Sequence, residues 1–63
     1  MRVYPNPSNN KIYILGSTNK IEVYNMTGKL ILLSNDKVID ISNWEEGVYI
    51  FRSGISIAKI IKQ

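Results

Sequence analysis

Residues 20–34 read KIEVYNMTGKLILLS, two apolar stretches separated by a short turn that contains Gly28. Ile21 and Val23 flank Glu22, and this alternation is typical of a strand with one buried face. Glycine can take the positive φ angle that a short hairpin loop requires. The stretch therefore predicts an antiparallel hairpin in which Ile21 and Val23 face a core.

The same alternation occurs on both sides of this hairpin. In KIYIL, Ile12 and Ile14 fall on one face of a predicted strand. In VIDIS, the apolar face holds Ile41 and either Val38 or Ile39. Both segments are bounded by residues that favour turns. They predict two more half-buried strands.

Two further segments complete the pattern. Residues 47–52, GVYIFR, are apolar on both faces, as expected of a central strand. Residues 2–7, RVYPNP, indicate a short edge segment, because Pro5 and Pro7 lack the amide donor. Turn residues interrupt the chain at intervals of about eight to twelve residues. We therefore predict an all-β fold, a small antiparallel immunoglobulin-like β-sandwich of about six or seven short strands.

The segment SNWEEGVYIF (42–51) resembles the corner that leads into the sixth strand of an immunoglobulin-like sandwich. In that corner a glycine precedes an inward-facing tyrosine, whose hydroxyl bonds to the backbone across the corner. Gly47 and Tyr49 occupy these places, and Trp44 is positioned to cover one end of the core. We interpret these residues as structural.

The C-terminal stretch GISIAKIIKQ (54–63) fits either a final strand or a basic amphipathic helix on a membrane. So short a helix is marginal in water, and β-branched isoleucines destabilise it further. We predict a strand with apolar residues on both faces: Ile57 and Ile61 on one, Ala58 and Ile60 on the other. Lys59 and Lys62 are expected to interrupt its exposed edge. Unpaired backbone groups on that edge predict strand addition by a partner or self-association of the domain.

Composition excludes several classes of function. The chain has 63 residues, enough for one domain, and contains no cysteine and no histidine. Disulfides, Cys/His zinc sites, thiol nucleophiles and histidine proton shuttles are thereby excluded. Glu45 and Glu46 are neighbours in a turn and cannot flank a substrate as glycosidase carboxylates do. We predict no catalytic activity and no cofactor.

The net charge of +3 comes from dispersed cations. The lysines lie at positions 11, 20, 29, 37, 59 and 62. Nucleic-acid-binding modules more often cluster their cations in a stripe, so we predict no nucleic-acid partner. The apolar runs are too short to span a membrane, and the first residues lack the apolar region of a secretory signal. If the domain is exported, its targeting sequence is expected upstream in a longer protein.

Four segments, in this order, resemble the type A C-terminal sorting domain of the type IX secretion system of the Bacteroidetes. They are VYPNPSNNKIYI (3–14), KIEVYNMTGKLIL (20–32), VIDISNWEEGVYIFR (38–52) and AKIIKQ (58–63). The resemblance covers essentially the whole chain. It departs from the family pattern in residues 52–59, where the last hairpin has almost no loop beyond Ser53 and Gly54.

The resemblance carries the family's features over by position. The entering YPNP segment falls on Tyr4, Pro5, Asn6 and Pro7. The hairpin pattern falls on Asn25, Gly28 and Lys29, and the corner on Gly47 and Tyr49. The motif that the translocon recognises falls on Lys59, Ile60, Ile61 and Lys62.

The resemblance implies a non-enzymatic secretion signal. Residues 1–63 are then a single sorting domain, a fragment of a larger secreted protein whose cargo is often a hydrolase or an adhesin. It also implies that the outer-membrane translocon and its shuttle proteins recognise the folded sandwich in the periplasm. A sortase-like cysteine peptidase usually removes such a domain at the cell surface. The cargo then stays at the surface, often joined to an anionic lipopolysaccharide, or is released as an extracellular protein.

The alternative function is an accessory immunoglobulin-like module that binds carbohydrate for an extracellular enzyme. Such a module needs a coplanar set of exposed aromatic rings. Tyr13, Tyr24 and Trp44 are the candidates for that surface. The position of these three rings in the fold decides whether such a surface exists.

Overall fold

The computed structural model describes residues 1–17 and 19–63 of the chain. In these ranges the chain forms seven strands: β1 Arg2–Tyr4, β2 Lys11–Leu15, β3 Ile21–Tyr24, β4 Leu30–Ser34, β5 Val38–Asp40, β6 Gly47–Ser53 and β7 Ser56–Lys62. The described residues contain no helix long and apolar enough to cross a membrane. The predicted final strand is confirmed, and the helical alternative for the tail is wrong.

The strands form two antiparallel sheets that enclose one core. One sheet has three strands in the order β1-β2-β5, and the other has four in the order β4-β3-β6-β7. β6 lies between β3 and β7, which confirms that GVYIFR is a central strand, and β1 lies at a sheet edge. The predicted immunoglobulin-like sandwich is confirmed.

The inward faces of both sheets supply the core. Its buried members are Ile12, Ile14, Ile21, Val23, Ile39, Ile41, Tyr49, Phe51 and Ile60. The alternation predicted for β2 and β3 is therefore confirmed. The register also resolves the alternative left open in VIDIS. Ile39 pairs with Ile12 and is buried, whereas Val38 pairs with Tyr13 on the outer face.

The hairpin of β3 and β4 forms as predicted. Gly28 has a φ angle of +86°, and its amide donates to the carbonyl of Asn25 at 3.0 Å. The Asn25 Oδ1 atom accepts hydrogen bonds from the amides of Thr27 and Lys29, each at 3.0 Å. One asparagine side chain thus organises the whole loop, as asparagine commonly does in turns.

β6 and β7 form a second hairpin with a very short turn. Seven residue pairs join the two strands, and Ser53 and Ser56 form the pair nearest the turn. Gly54 and Ile55 alone make the connection. Gly54 has a φ angle of +60°, and a Cβ added there would lie 2.6 Å from Asn19 Nδ2. The departure from the family pattern in residues 52–59 is therefore a tight glycine turn that pairs the tail with β6.

Tyr49 forms the predicted corner at the start of β6. Its hydroxyl donates to the carbonyl of Glu45 at 2.7 Å, and its ring is buried. The centroid of the Trp44 ring lies 4.8 Å from that of Tyr49 and 6.2 Å from that of Phe51. Trp44 thus covers one end of the core, and the structural interpretation of the corner is confirmed.

Replacing Tyr49 by phenylalanine removes the hydrogen bond to Glu45 and keeps the ring. We expect the free energy of unfolding to fall by about 1 kcal/mol, which lowers the melting temperature of so small a domain by about 4–8 °C. Thermal unfolding followed by circular dichroism measures the change. Tyr13→Phe is the matched control, because the Tyr13 side chain is exposed. Equal shifts in both variants would show that the corner bond contributes nothing.

Candidate functional site

β7 places the four predicted recognition residues on two faces. Lys59 and Ile61 face outward and are exposed, whereas Ile60 and Lys62 face inward and are only 0% and 8% exposed. Successive side chains of a strand point to opposite sides, so the motif is divided in this way. The expectation that Lys62 lies on an exposed edge is wrong. It shares the inward side with Ile60, and its ammonium group donates to the carbonyl of Gln63 at 2.8 Å.

The entering segment, residues 4–8, lies along the edge of β7 that does not pair with β6. Asn6 Nδ2 donates to the carbonyl of Lys59 at 2.9 Å, and the amide of Ile61 donates to Asn6 Oδ1 at 3.0 Å. The backbone continues this pairing: the Ser8 amide donates to the Ile61 carbonyl at 2.9 Å, and the Gln63 amide donates to the Ser8 carbonyl at 2.8 Å. We name these four hydrogen bonds the tail clasp. An asparagine side chain thereby takes the place of a neighbouring strand.

The tail clasp covers most of the outer edge of β7, so the expectation that this edge is unpaired is wrong. Alternate residues of an antiparallel strand direct both backbone groups to the same side, so Ile57, Lys59 and Ile61 form the edge of β7. The clasp occupies the Lys59 carbonyl and both backbone groups of Ile61. Within the described residues, the uncovered edge is therefore limited to Ile57 and the Lys59 amide. Strand addition farther along β7 requires that Asn6 and Ser8 be displaced.

The hairpin turn and the corner lie at the same end of the sandwich as the clasp. Gly47 begins β6 and pairs with Lys62. Residues 25–27 of the turn and residues 45–49 of the corner line a common groove of about 180 Å³. We name this end, which holds the tail clasp, the hairpin turn and the corner, the motif end. All four segments that carry the family resemblance contribute to it.

Tyr4, Pro5 and Pro7 form an exposed surface beside the clasp. The ring of Tyr4 stacks on that of Tyr13 across the β1–β2 pair, with centroids 5.6 Å apart. Both prolines follow cis peptide bonds. They line, with neighbouring residues and Gln63, a shallow groove of about 290 Å³. The entering segment and the tail therefore share a surface as well as hydrogen bonds.

Met1 lies at the opposite end of the sandwich. It lines a small groove of about 190 Å³ with Gly16, Asn19 and residues of the β6–β7 turn. From there β1 runs toward the motif end, where Ser8 forms a parallel bridge with Lys62. The chain thus enters the fold at the end that is farthest from the recognition motif.

The outer face of the four-stranded sheet holds a small charged network. Arg52 Nε lies 3.6 Å from Glu22 Oε1, and the Tyr24 hydroxyl donates to the same carboxylate oxygen at 2.6 Å. This hydrogen bond raises the pKa of Tyr24, because the carboxylate stabilises the protonated phenol. Within residues 1–17 and 19–63, no three acidic side chains are grouped to hold a metal ion.

The aromatic rings considered for carbohydrate binding do not form one surface. Tyr13 lies on the outer face of the three-stranded sheet, and Tyr24 lies on the outer face of the other sheet. Trp44 is half-buried against the core. The sandwich itself separates the first two rings. The coplanar set that a sugar platform requires is therefore not assembled from these residues.

Comparison with known proteins points to one family. The family model described as the secretion system C-terminal sorting domain matches residues 2–63. The match includes all four segments that meet at the motif end. No curated protein and no solved structure shows a significant match to the chain.

Proposed function

The chain belongs to the family of secretion system C-terminal sorting domains, and from this premise we propose that the secretion machinery reads it at the motif end. As a sorting signal for type IX secretion, the domain directs its attached protein to the cell surface or the extracellular space. We further propose that the domain folds in the periplasm, where the outer-membrane translocon and its shuttle proteins bind it, and that a sortase-like cysteine peptidase removes it at the cell surface.

The tail clasp is the observation that carries this proposal. The entering YPNP segment and the terminal motif are separate in sequence, yet Asn6 bonds directly to Lys59 and Ile61. A partner that contacts the tail is therefore expected to contact Pro5 and Pro7 beside it as well. The motif end thus presents a composite surface that exists only in the folded chain. Such a surface lets the machinery distinguish a folded signal from an unfolded one.

The division of the tail assigns different roles to its residues. Lys59 and Ile61 are exposed and available for direct contact with the translocon. Ile60 belongs to the core, and Lys62 is held at its end. We propose that the outward pair is read and that the inward pair keeps the strand in place.

The position of Met1 suits attachment of a cargo. A cargo joined there lies at the opposite end from the recognition surface. This arrangement places the junction with the cargo away from the surface that the translocon is proposed to bind. In this proposal the sorting domain serves as a signal, and any catalysis belongs to the cargo.

A reporter assay tests the proposed function. Residues 1–63 are fused behind a periplasmic reporter in a strain with a working type IX system, and we expect the reporter outside the cell. Deletion of Lys59–Gln63 is expected to leave it in the periplasm. The intact fusion in a strain without the translocon is the control and must also stay inside. A deletion variant that is secreted as efficiently as the intact fusion would show that the tail is not read.

A further inference from the structure

The outer face of the four-stranded sheet contains a groove that reaches the tail. Its volume is about 560 Å³. Its walls come from the β3–β4 hairpin, β6 and β7, and include Tyr24, Met26, Val48, Ile50, Ile57 and Lys59. The groove therefore connects two family segments, the hairpin turn and the terminal motif, along the face of the sheet.

Large apolar side chains in and beside the groove are exposed to solvent. Met26 is 75% exposed, Ile57 is 66% exposed, and the adjacent Ile61 is 41% exposed. Apolar patches that are continuous and bordered by polar residues commonly mark sites of protein interaction. Ile57 and Ile61 lie on the outward face of β7 and Met26 lies in the β3–β4 turn, so none of the three belongs to the core. Their hydrophobicity therefore calls for a partner outside the domain.

Charge in the groove is concentrated at one position. Tyr24, Ile50 and Lys59 lie in one cross-strand row, so the lysine lies beside apolar neighbours. The other cation of the groove, Arg52, forms an ion pair with Glu22, with 3.6 Å between Nε and Oε1. Among the described residues, Lys59 makes no ion pair. The groove thus presents apolar walls and one uncompensated positive charge.

We propose that this groove docks an apolar segment of the secretion machinery that carries a carboxylate opposite Lys59. This inference rests on the proposed function and extends the recognition surface from the tail onto the sheet. Lys59 belongs to both the terminal motif and the groove, and the exposed Ile61 is next to it. Charge complementarity selects an acidic side chain at this point, and the apolar walls supply the contact area.

A second copy of the chain fits this groove less well. A two-fold dimer that covers both grooves would join two molecules of net charge +3 and enclose a Lys59 side chain from each. Among the residues that the structure describes, neither groove supplies an unpaired carboxylate to compensate these charges, and like charges within an interface oppose association. An acidic partner has no such penalty. We therefore assign the groove to the machinery.

The reporter assay with paired surface variants tests this assignment. Ile57→Ser and Lys59→Glu are each expected to lower secretion by about tenfold or more, as expected for anchor residues of an interface. Lys59→Arg is expected to retain most secretion, because it keeps the charge. The matched controls are Leu15→Ser, on the outer face of the other sheet with 51% exposure, and Lys37→Glu, in the β4–β5 turn. Both controls are expected to be secreted like the unmodified fusion.

Each outcome discriminates between the two proposals. If the unmodified fusion is not secreted, the proposed function itself fails. If it is secreted and the groove variants are secreted equally well, only the docking groove is refuted. Thermal unfolding of the purified variants must match the parent domain, so that loss of secretion is not loss of fold. If sedimentation shows a dimer that Ile57→Ser dissociates while secretion is unchanged, the groove binds a second copy and the assignment is overturned.

Discussion

The Phe51→Ala variant of the isolated domain is expected to be largely unfolded near room temperature. Phe51 is fully buried in the central strand, where it pairs with Val23 on β3 and Ala58 on β7. Truncating a buried phenylalanine typically costs about 3–5 kcal/mol. A core of this size rarely supplies more than about 3–5 kcal/mol of net stability without disulfides or metals, and the chain has no cysteine. One substitution thus removes about as much free energy as the fold possesses.

Amide chemical-shift dispersion and the presence of a cooperative thermal transition measure this effect. Two further variants serve for comparison, one at an exposed residue and one that changes the core less. Leu15→Ala changes an exposed residue and is expected to stay within about 0.5 kcal/mol of the parent domain. Phe51→Leu keeps an apolar side chain in place and is expected to retain a cooperative transition at a lower temperature. If Phe51→Ala melts within a few degrees of the parent, the core does not depend on this ring.

The same variant separates a folded signal from a linear one. Phe51→Ala leaves the sequence of Lys59 to Lys62 unchanged. If the machinery reads the composite surface at the motif end, the Phe51→Ala reporter fusion is expected to stay inside the cell. Secretion of that fusion at the level of the parent would mean that the terminal residues suffice without the fold.

Much of this fold follows from local signals in the sequence. The alternation in β2 and β3 predicted which isoleucines are buried, and Gly28 predicted the hairpin. The corner with Tyr49 and Trp44 was also visible, because glycine, tyrosine and tryptophan stand at fixed distances from one another. Each of these signals spans only a few residues, and over that length the backbone geometry determines which side chains share a face.

The choice between Val38 and Ile39 could have been made from local alternation. Ile39 lies two residues before Ile41 and therefore shares its face, whereas Val38 shares the face of Asp40. The pairing with β2 agrees, because Ile39 lies opposite the buried Ile12. The inward position of Lys62 was likewise accessible from sequence. It is two residues after Ile60 and therefore shares its face.

The tail clasp could not be predicted from local pattern. Asn6 lies 53 residues before Lys59 and 55 before Ile61, and an asparagine between prolines indicates only a turn. The side-chain amide of Asn6 can bond to the Lys59 carbonyl and the Ile61 amide only when the entering segment and β7 have both folded and lie side by side. Ser8 contributes through its backbone amide and carbonyl, so its side chain type gave no signal. The family resemblance identified the YPNP segment and the terminal motif in the sequence, but it did not indicate that the two are in contact in the fold.

Replacing Asn6 by alanine is expected to open the tail clasp and lower the free energy of unfolding by about 2 kcal/mol. The variant loses two hydrogen bonds, each of which contributes about 1 kcal/mol. Hydrogen exchange locates the change more sharply. The Ile61 amide, which donates to Asn6 Oδ1, should exchange about tenfold faster or more, because it loses its acceptor. The amides of Ile60 and Lys62, which face β6 in the paired register, should keep most of their protection.

The Asn6→Asp variant tests whether both halves of the side chain contribute. The new carboxylate still accepts from the Ile61 amide, so that amide is expected to stay protected. It cannot donate to the Lys59 carbonyl, since an ionised carboxylate only accepts hydrogen bonds, and two acceptor oxygens then face each other. We therefore expect a loss of stability at neutral pH with little change at Ile61. Asn9→Ala, an exposed asparagine in the same segment, is the matched control and should change neither quantity. Unaltered exchange of the Ile61 amide in Asn6→Ala would mean that Asn6 does not hold the edge of β7.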